Sequence, residues 1–363
     1  MVKKLPAPFY ERLSLVLIGL LSLGFLIIQG KEVLDPMMFG LLFALLLLPI
    51  SNFFERKCHM PRSLASFFAI ILMVLFITGI VYLIGTQISI LSSDWPLLKN
   101  QIGETSNDIQ HWISHTFHYN IAKQSVYIQN TTNKLMASGT AVLGTTFGAV
   151  SSLVLFYIFI IIFTFFILFY RRLLLRFLIR AFREENAKTV FAIVEDVQRI
   201  IRQYIMGLLL EMLIVATVAC LIFWIAGIKY FALLGIITGL FNIIPYIGIF
   251  TALLLSSLIT FATGAVTKAL IVGLCVLGIH AVDSNFLLPI VVGSKVRLNA
   301  LITFLGIVLG EMLWGLSGMF LSIPTIAILK IIFDHIESLK PWGFLLGGEY
   351  EYDKEAEKKM KTE

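Results

Sequence analysis

Residues 230–267 read YFALLGIITGLFNIIPYIGIFTALLLSSLITFATGAVT, thirty-eight consecutive residues without a charge. A helix crossing the ~30 Å hydrocarbon core of a bilayer needs roughly 20 apolar residues at 1.5 Å of rise each. The run is therefore too long for one crossing and short for two crossings with a loop. In its middle stands Phe241-Asn242-Ile243-Ile244-Pro245-Tyr246-Ile247-Gly248. Proline removes a backbone donor and glycine loosens a helix, so the run is expected to break here into arms at 231–243 and 249–262. Arms this short suit a re-entrant hairpin that enters and leaves from one side. Helix ends left at mid-depth need partners, and a solute or an ion can serve.

Other charge-free runs stand at 13–30, 36–54, 63–93 and 135–170. They are long and continuous, whereas strands of a membrane barrel would alternate over ~10 residues. The spans are thus helices, and the chain reads as an all-α polytopic membrane protein. Its bulk numbers agree. It is 58% hydrophobic and 14% charged over 363 residues, against ~45–50% and ~25% in soluble domains. This excludes a soluble enzyme, a disordered tail and a secreted disulfide scaffold. Cys58, Cys220 and Cys275 have the spacing of neither a zinc site nor a disulfide framework. The net charge of +6 belongs to no soluble basic domain, so no nucleic-acid partner is expected. No small-x-small cleavage site follows residues 13–28, which read as a first span that stays.

Lys and Arg collect on the cytoplasmic side of spans. Lys3, Lys4 and Arg12 precede the first span, while Arg56, Lys57 and Arg62 follow the second. The N-terminus and the second link are therefore expected inside, with the link at 31–35 outside. The chain then divides as follows: three spans in 1–85; an outer amphipathic segment at 86–140; a fourth span at 141–170; basic amphipathic helices at 171–203; a transport core at 204–332; and a charged cytoplasmic tail at 333–363. Within the fourth part, Arg172, Arg176, Arg180 and Arg183 share one helix face, with Leu and Phe elsewhere. That pattern suits a helix in the interface of an anionic leaflet, either as a topology anchor or as a lipid sensor. His111, His115 and His118 lie near one another in the outer segment, but no thiol or carboxylate pattern completes a metal site. They read as surface histidines, and no metal or cofactor is expected.

A second broken run is expected at 299–332, interrupted at Trp314-Gly315-Leu316-Ser317-Gly318. Leu234-Gly235-Ile236-Ile237-x-Gly239 reads against Leu305-Gly306-Ile307-Val308-x-Gly310, and Gly248-Ile249-Phe250 against Gly318-Met319-Phe320. If both runs re-enter, the two halves form an inverted repeat, the architecture of many secondary transporters. If both simply cross, Lys295 and Arg297 fall outside instead. Ionisable residues at membrane depth are expensive and so become functional candidates. These are Glu211, His280, Asp283 and Glu311, with Asn242, Asn285 and Asn299 as polar neighbours. A carboxyl out of water holds a proton more readily and can couple its movement to transport. The same carboxylates with free carbonyls at the breaks could instead bind a cation.

Arg202-Gln203-Tyr204-x-x-Gly207, then Asn242-x-x-Pro245-x-x-Gly248, Asp283-x-Asn285-x-x-x-Pro289-x-x-x-Gly293, and Gly315-x-x-Gly318 before Ile323-Pro324 occur in this order. In this combination the chain resembles the AI-2E family, the autoinducer-2 exporter-like or PerM-type permeases, through about residue 332. The resemblance implies about eight transmembrane segments, homo-oligomeric assembly as a pentamer, a bacterial inner-membrane location and export of small molecules. Some members are similar instead to sodium/proton antiporters. One departure is that Asn299 is followed by Ala300, where the family often has proline.

An energy-coupled pump is not expected, since the sequence has no phosphate-binding Gly-x-x-x-x-Gly-Lys-Ser/Thr loop. Gly315-Leu316-Ser317-Gly318 matches the motif of rhomboid-like serine proteases, but His280 precedes the serine and His335 lies at the cytoplasmic end. A pore remains a third reading, since broken helices also line channels. The expectation is a secondary transporter or exporter of a small polar, autoinducer-2-like solute, working by alternating access and coupled to protons or sodium. Its site would be lined by Asn242, Pro245, Gly248, Asp283, Asn285, Glu311, Gly315 and Gly318. Asp283 is the first candidate for coupling and Glu211 the second.

Overall fold

A computed structural model describes residues 9–94, 96, 100, 146–182, 186–244, 247–263, 266–291 and 298–347. Pro245, Arg183, Gly293, Lys295, Arg297, the outer segment with its histidines and the end of the tail lie outside the described residues. Every regular element among the described residues is helical. In order these are α1 (Phe9–Gln29), α2 (Lys31–Lys57), α3 (Arg62–Ser93), α4 (Thr146–Ala181), α5 (Ala187–Ile225), α6 (Phe231–Phe241), α7 (Ile247–Phe261) and α8 (Val266–Val282). A π-helical turn (Asp283–Leu287), α9 (Leu288–Val291), α10 (Ala300–Trp314), α11 (Leu316–His335), a 3-10 turn (Glu337–Leu339) and α12 (Lys340–Gly347) follow. Six stretches are long and apolar enough to cross a membrane: α2, α3, residues 152–181 of α4, α5, the run Val266–Val291 and α11. α6, α7 and α10 are apolar but shorter. Large apolar side chains such as Leu21, Phe76, Leu153, Phe250 and Ile290 are mostly exposed, as a chain solvated by lipid requires. This is a polytopic membrane protein.

Two helices run further than their charge pattern suggests. α4 continues without a break from its apolar span through Arg171, Arg172, Arg176 and Arg180. No proline or glycine lies between Tyr170 and Ala181, so nothing ends the helix where its chemistry changes. The basic stripe is therefore the end of a span and not a separate helix. α5 likewise joins the polar residues from Ala187 to the apolar ones up to Ile225. It stops at Gly227, whose φ of +67° supplies the left-handed residue of a Schellman end. Ile228 N–H bonds Phe223 O and Gly227 N–H bonds Trp224 O, both at 3.0 Å.

The chain divides into two compact units. The first holds residues 1–66, 155–201 and 298–363. Here α10 and α11 form a tight antiparallel hairpin. Gly310 and Gly318 lie backbone to backbone, so a methyl on either would strike the other's carbonyl. Gly315 turns the chain at φ +68°. Trp314 Nε1 donates to Ile27 O at the end of α1, 3.0 Å away, and Phe39 of α2 stacks on Phe320 of α11. The tip thus reaches the α1–α2 link. At the other end Asn299 N–H bonds Leu346 O of α12 at 2.8 Å. The second arm has 20 residues, enough to cross, where two short arms are expected from the sequence. The reason is that Pro324 is accommodated inside α11 and the helix runs on past residue 332 to His335.

The second unit holds residues 67–154 and 202–297. Its core packs Val215, Ala219 and Phe223 of α5 against Leu233 and Leu234 of α6 and Val272 and Val276 of α8. Gly235 and Gly239 bring α6 onto α5 at Cys220, Ala216 and the Met212 carbonyl. At the tip of the α6–α7 hairpin Gly248 lies on the Phe241 carbonyl, where a methyl would collide. Gly248 and Gly318 thus each seat the returning arm on the backbone of the arm before it. Gly239 packs on a different helix, whereas Gly310 packs within its own hairpin.

Candidate functional site

The site of greatest chemical interest is at the tip of the α6–α7 hairpin, wholly within the second unit. Asn242 ends α6. Its Nδ2 donates to Glu211 Oε1 of α5 and to Asp283 Oδ2 at the start of the π-helical turn, both at 3.0 Å. Those two carboxyl oxygens are consequently no more than about 6 Å apart. Glu211 is 2% exposed and Asp283 4% exposed. The second oxygen of each, Glu211 Oε2 and Asp283 Oδ1, is buried without a hydrogen-bond partner among the described residues. A buried polar atom left unpaired costs about 1–3 kcal/mol, so the geometry holds places for a proton or a cation.

Depth follows from helix arithmetic. The far end of the unit is polar: Lys229 Nζ pairs with Asp94 Oδ2 at 2.8 Å, Tyr230 Oη donates to Asp94 Oδ2 at 2.7 Å, and Lys268 Nζ donates to Gly227 O at 2.7 Å. From that end α6 descends 11 residues, about 16 Å. Glu211 lies fourteen residues before the end of α5 and Asp283 fifteen after Lys268, each about 21–23 Å along its helix. The three groups, joined by hydrogen bonds, thus lie about 16–23 Å along their helices from the polar end, within the ~30 Å thickness of a hydrocarbon layer. The pairing of Asp94 holds its carboxyl below the usual carboxylate range through hydrogen bonds from Lys229 and Tyr230, and raises Lys229 in return.

At Asp283 the α-helical ladder slips into π geometry, which widens the turn and is frequent at functional sites. Ser284 Oγ bonds His280 O at 2.8 Å. His280 is half-buried with its Nδ1 unpartnered among the described residues.

The structure does not bring every predicted residue here. Asn285 is exposed and turns back to Ala281 O of its own helix at 2.7 Å. Its side chain faces away from the carboxyl pair because the residues on either side of Asp283 occupy other helix faces. Glu311, Gly315 and Gly318 belong to the first unit. Glu311 is exposed there, one turn before the hairpin tip. Ser317 Oγ donates to Trp314 O at 3.3 Å and lies beside the Asp35 carboxyl. His335, the base that a serine-protease reading would need, lies eighteen residues along the same helix, about 27 Å away. It bonds Ile331 O and pairs with Asp196.

Asp35 itself escapes the sequence reading. Together with Lys31 and Glu32 it looks like part of a polar link, yet it is 3% exposed. The available signal was Pro36 and the charge-free run after it, which place Asp35 inside the first turns of α2.

Residues 13–338 match the family described as AI-2E family transporter. The chain is 28% identical over 325 residues to YrrI of Bacillus subtilis (strain 168), named as a candidate transport protein, across 84% of this chain and 87% of that protein. YueF of the same organism, named likewise, is 27% identical over 325 residues, 84% of each chain. PerM of Escherichia coli (strain K12), named as a candidate permease, is 28% identical over 139 residues, 38% of this chain and 39% of its own. The family match spans both hairpins and all three residues of the buried cluster, and the chain belongs to the AI-2E family of membrane transporters.

Proposed function

We propose that the chain is a secondary-active exporter of a small polar, autoinducer-2-like molecule, working by alternating access and driven by protons. The observation that supports this most directly is the single amide of Asn242 clamping Glu211 and Asp283 deep in the apolar layer. Two like charges no more than about 6 Å apart repel by at least about 3 kcal/mol at an effective dielectric of 20, and on this reading that repulsion is relieved by one proton held between them. Release of that proton would leave two carboxylates facing each other across the Asn242 amide, and their repulsion would push the acids apart and strain the clamp. The hairpin tip, held to α5 and α8 through this contact, would then move while its base stays tied to Asp94. A second reading uses the same two unpartnered oxygens for sodium, making the protein a sodium/proton antiporter.

The protein is further proposed to lie in the bacterial cytoplasmic membrane with both termini inside and to assemble as a homo-oligomer, a pentamer by family resemblance. The test is solute flux in proteoliposomes under an imposed pH gradient, with autoinducer-2 as solute. Asp283→Asn should abolish the pH dependence, and unchanged flux with unchanged pH dependence would sink the assignment. Sodium-driven proton release in the absence of solute would select the antiporter. Counterflow exchange separates either carrier from a pore, which shows none.

A further inference from the structure

A cavity of about 890 Å³ lies inside the first unit, walled by α2, the last part of α4, the first third of α5 and the end of α11. This is at the upper end of the ~300–1,000 Å³ of small-molecule sites. Its walls are mainly hydrocarbon, with Leu45, Leu48, Leu168, Leu178 and Val194 among them. The small polar solute proposed above has no apolar surface to match them.

Into this wall are set Arg171 and Arg172. Arg171 is fixed in a fork, donating to Ser51 Oγ at 3.1 Å, to Asn52 Oδ1 at 2.9 Å and to Glu55. Arg172 reaches Glu55 Oε1 at 3.0 Å and remains 63% exposed. Arg62 approaches the same carboxylate at 3.8 Å. Three guanidinium groups thus share the one Glu55 carboxylate, and the acid that lines the cavity, Glu337, is paired with Lys340, so positive charge is in excess at this end. Arg176 and Arg180 continue the stripe along α4, exposed and without an ion pair among the described residues. Basic pockets between membrane helices are suited to anionic headgroups, and each arginine can bind a phosphate through a fork of donors.

From this pairing of apolar volume with excess positive charge we infer that the cavity is a binding site for one anionic phospholipid. Its phosphate lies on Arg172 and Arg176, and an acyl chain lies among Leu45, Leu48 and Leu168. α5 runs on unbroken from this cavity to Glu211, so the lipid steadies the helix that presents one of the two buried acids.

Delipidated full-length protein in non-ionic detergent is titrated with phosphatidylglycerol, with phosphatidylcholine of the same chains, and with glycerol 3-phosphate. Binding is read by native mass spectrometry and by thermal shift. Phosphatidylglycerol should bind at least tenfold more tightly than phosphatidylcholine. Arg172→Gln and Arg176→Gln, both at exposed positions, should each weaken it about fivefold. Val194→Trp, which fills the cavity, should remove it. Equal binding of the two lipids overturns the inference. Displacement by glycerol 3-phosphate as effective as by lipid also overturns it, because no chain site is then in use. So does displacement by a synthetic peptide of residues 348–363, which would assign the cavity to the chain's own tail. If Val194→Trp does not fold, the exposed Arg172→Glu decides: undiminished preference for phosphatidylglycerol refutes the site.

Discussion

Replacing Asn242 by alanine removes the one group that bonds both buried acids, and its cost reports their charge state. A hydrogen bond to a charged group contributes about 1.5–3 kcal/mol net, while bonds between membrane helices average nearer ~0.6 kcal/mol. With one charge on the pair, the two 3.0 Å bonds comprise one of each kind. Asn242→Ala is therefore expected to lower the unfolding free energy by roughly 2–4 kcal/mol. In a Glu211→Gln/Asp283→Asn background both partners are neutral, and the same change should cost only about 1 kcal/mol. Equilibrium unfolding in mixed micelles, run as a double-mutant cycle, measures the difference. Equal losses in the two backgrounds, or a loss under ~0.5 kcal/mol in the parent, would refute both the single-charge pair and the role of Asn242 as its clamp.

Other outcomes follow from particular contacts. Gly248→Ala and Gly318→Ala drive a methyl into the carbonyls of Phe241 and Gly310, and each should cost well over 3 kcal/mol or prevent folding. Gly278→Ala has nothing within 4 Å and should be neutral or stabilise by up to ~1 kcal/mol, checked by thermal unfolding. The Asp94–Lys229 pair should be indifferent to pH between about 5 and 9. The lowered Asp94 contributes above its unfolded value of about 3.9 and loses its contribution as pH falls through its folded value. The raised Lys229 contributes below about 10.4 and loses it as pH rises through its own. Protection factors of residues 227–233, taken relative to the intrinsic exchange rate at each pH, that change within pH 5–9 would contradict this. Trp314→Phe removes the bond to Ile27 O; it should cost about 1 kcal/mol and speed exchange at the end of α1, and unchanged exchange there would show that the bond does not hold α1.

The spans, the break after Phe241 and the three acids within apolar runs were legible because lipid tolerates so little. A charge-free run of ~20 residues has few alternatives to a crossing helix, and an acid inside one needs a reason. What could not be read was which polar groups meet. Asn242, Glu211 and Asp283 are separated by 31 and 41 residues, and only the packing of α6 on α5, set by Gly235 and Gly239, brings them together. Asn285 looked equivalent to Asp283 at two residues' distance, yet that offset turns it to another face. Asp35 was hidden by its neighbours Lys31 and Glu32, since local composition records a chain's average surroundings and not which side of a helix it presents. The boundaries drawn at 170/171 and 203/204 follow composition and not helix ends. A change from apolar to basic residues marks where solvent changes, but helices end only where proline, glycine or a cap ends them.

The two hairpins share a closing device and differ in reach, and that difference bears on which can act as a moving part. In the first unit the tip at Gly315 extends as far as the α1–α2 link, where Trp314 is bonded to Ile27 O and Ser317 lies beside Asp35. Its second arm, with 20 residues, is long enough to cross, and this hairpin is held by packing and by fixed contacts at its tip. In the second unit α6 ends after 11 residues, so its last carbonyls and the first amides of α7 stand within the apolar layer of their own unit. Backbone groups there must find partners. The only polar side chains of the neighbouring helices that reach the tip among the described hydrogen bonds are Glu211 and Asp283, whose bonds to Asn242 depend on their protonation. On the function proposed above, a short hairpin tied at its base by permanent contacts and at its tip by proton-dependent ones supplies the asymmetry that alternating access needs, and the coupling step falls at Asn242, where neither acid is displaced without changing the bond of the other.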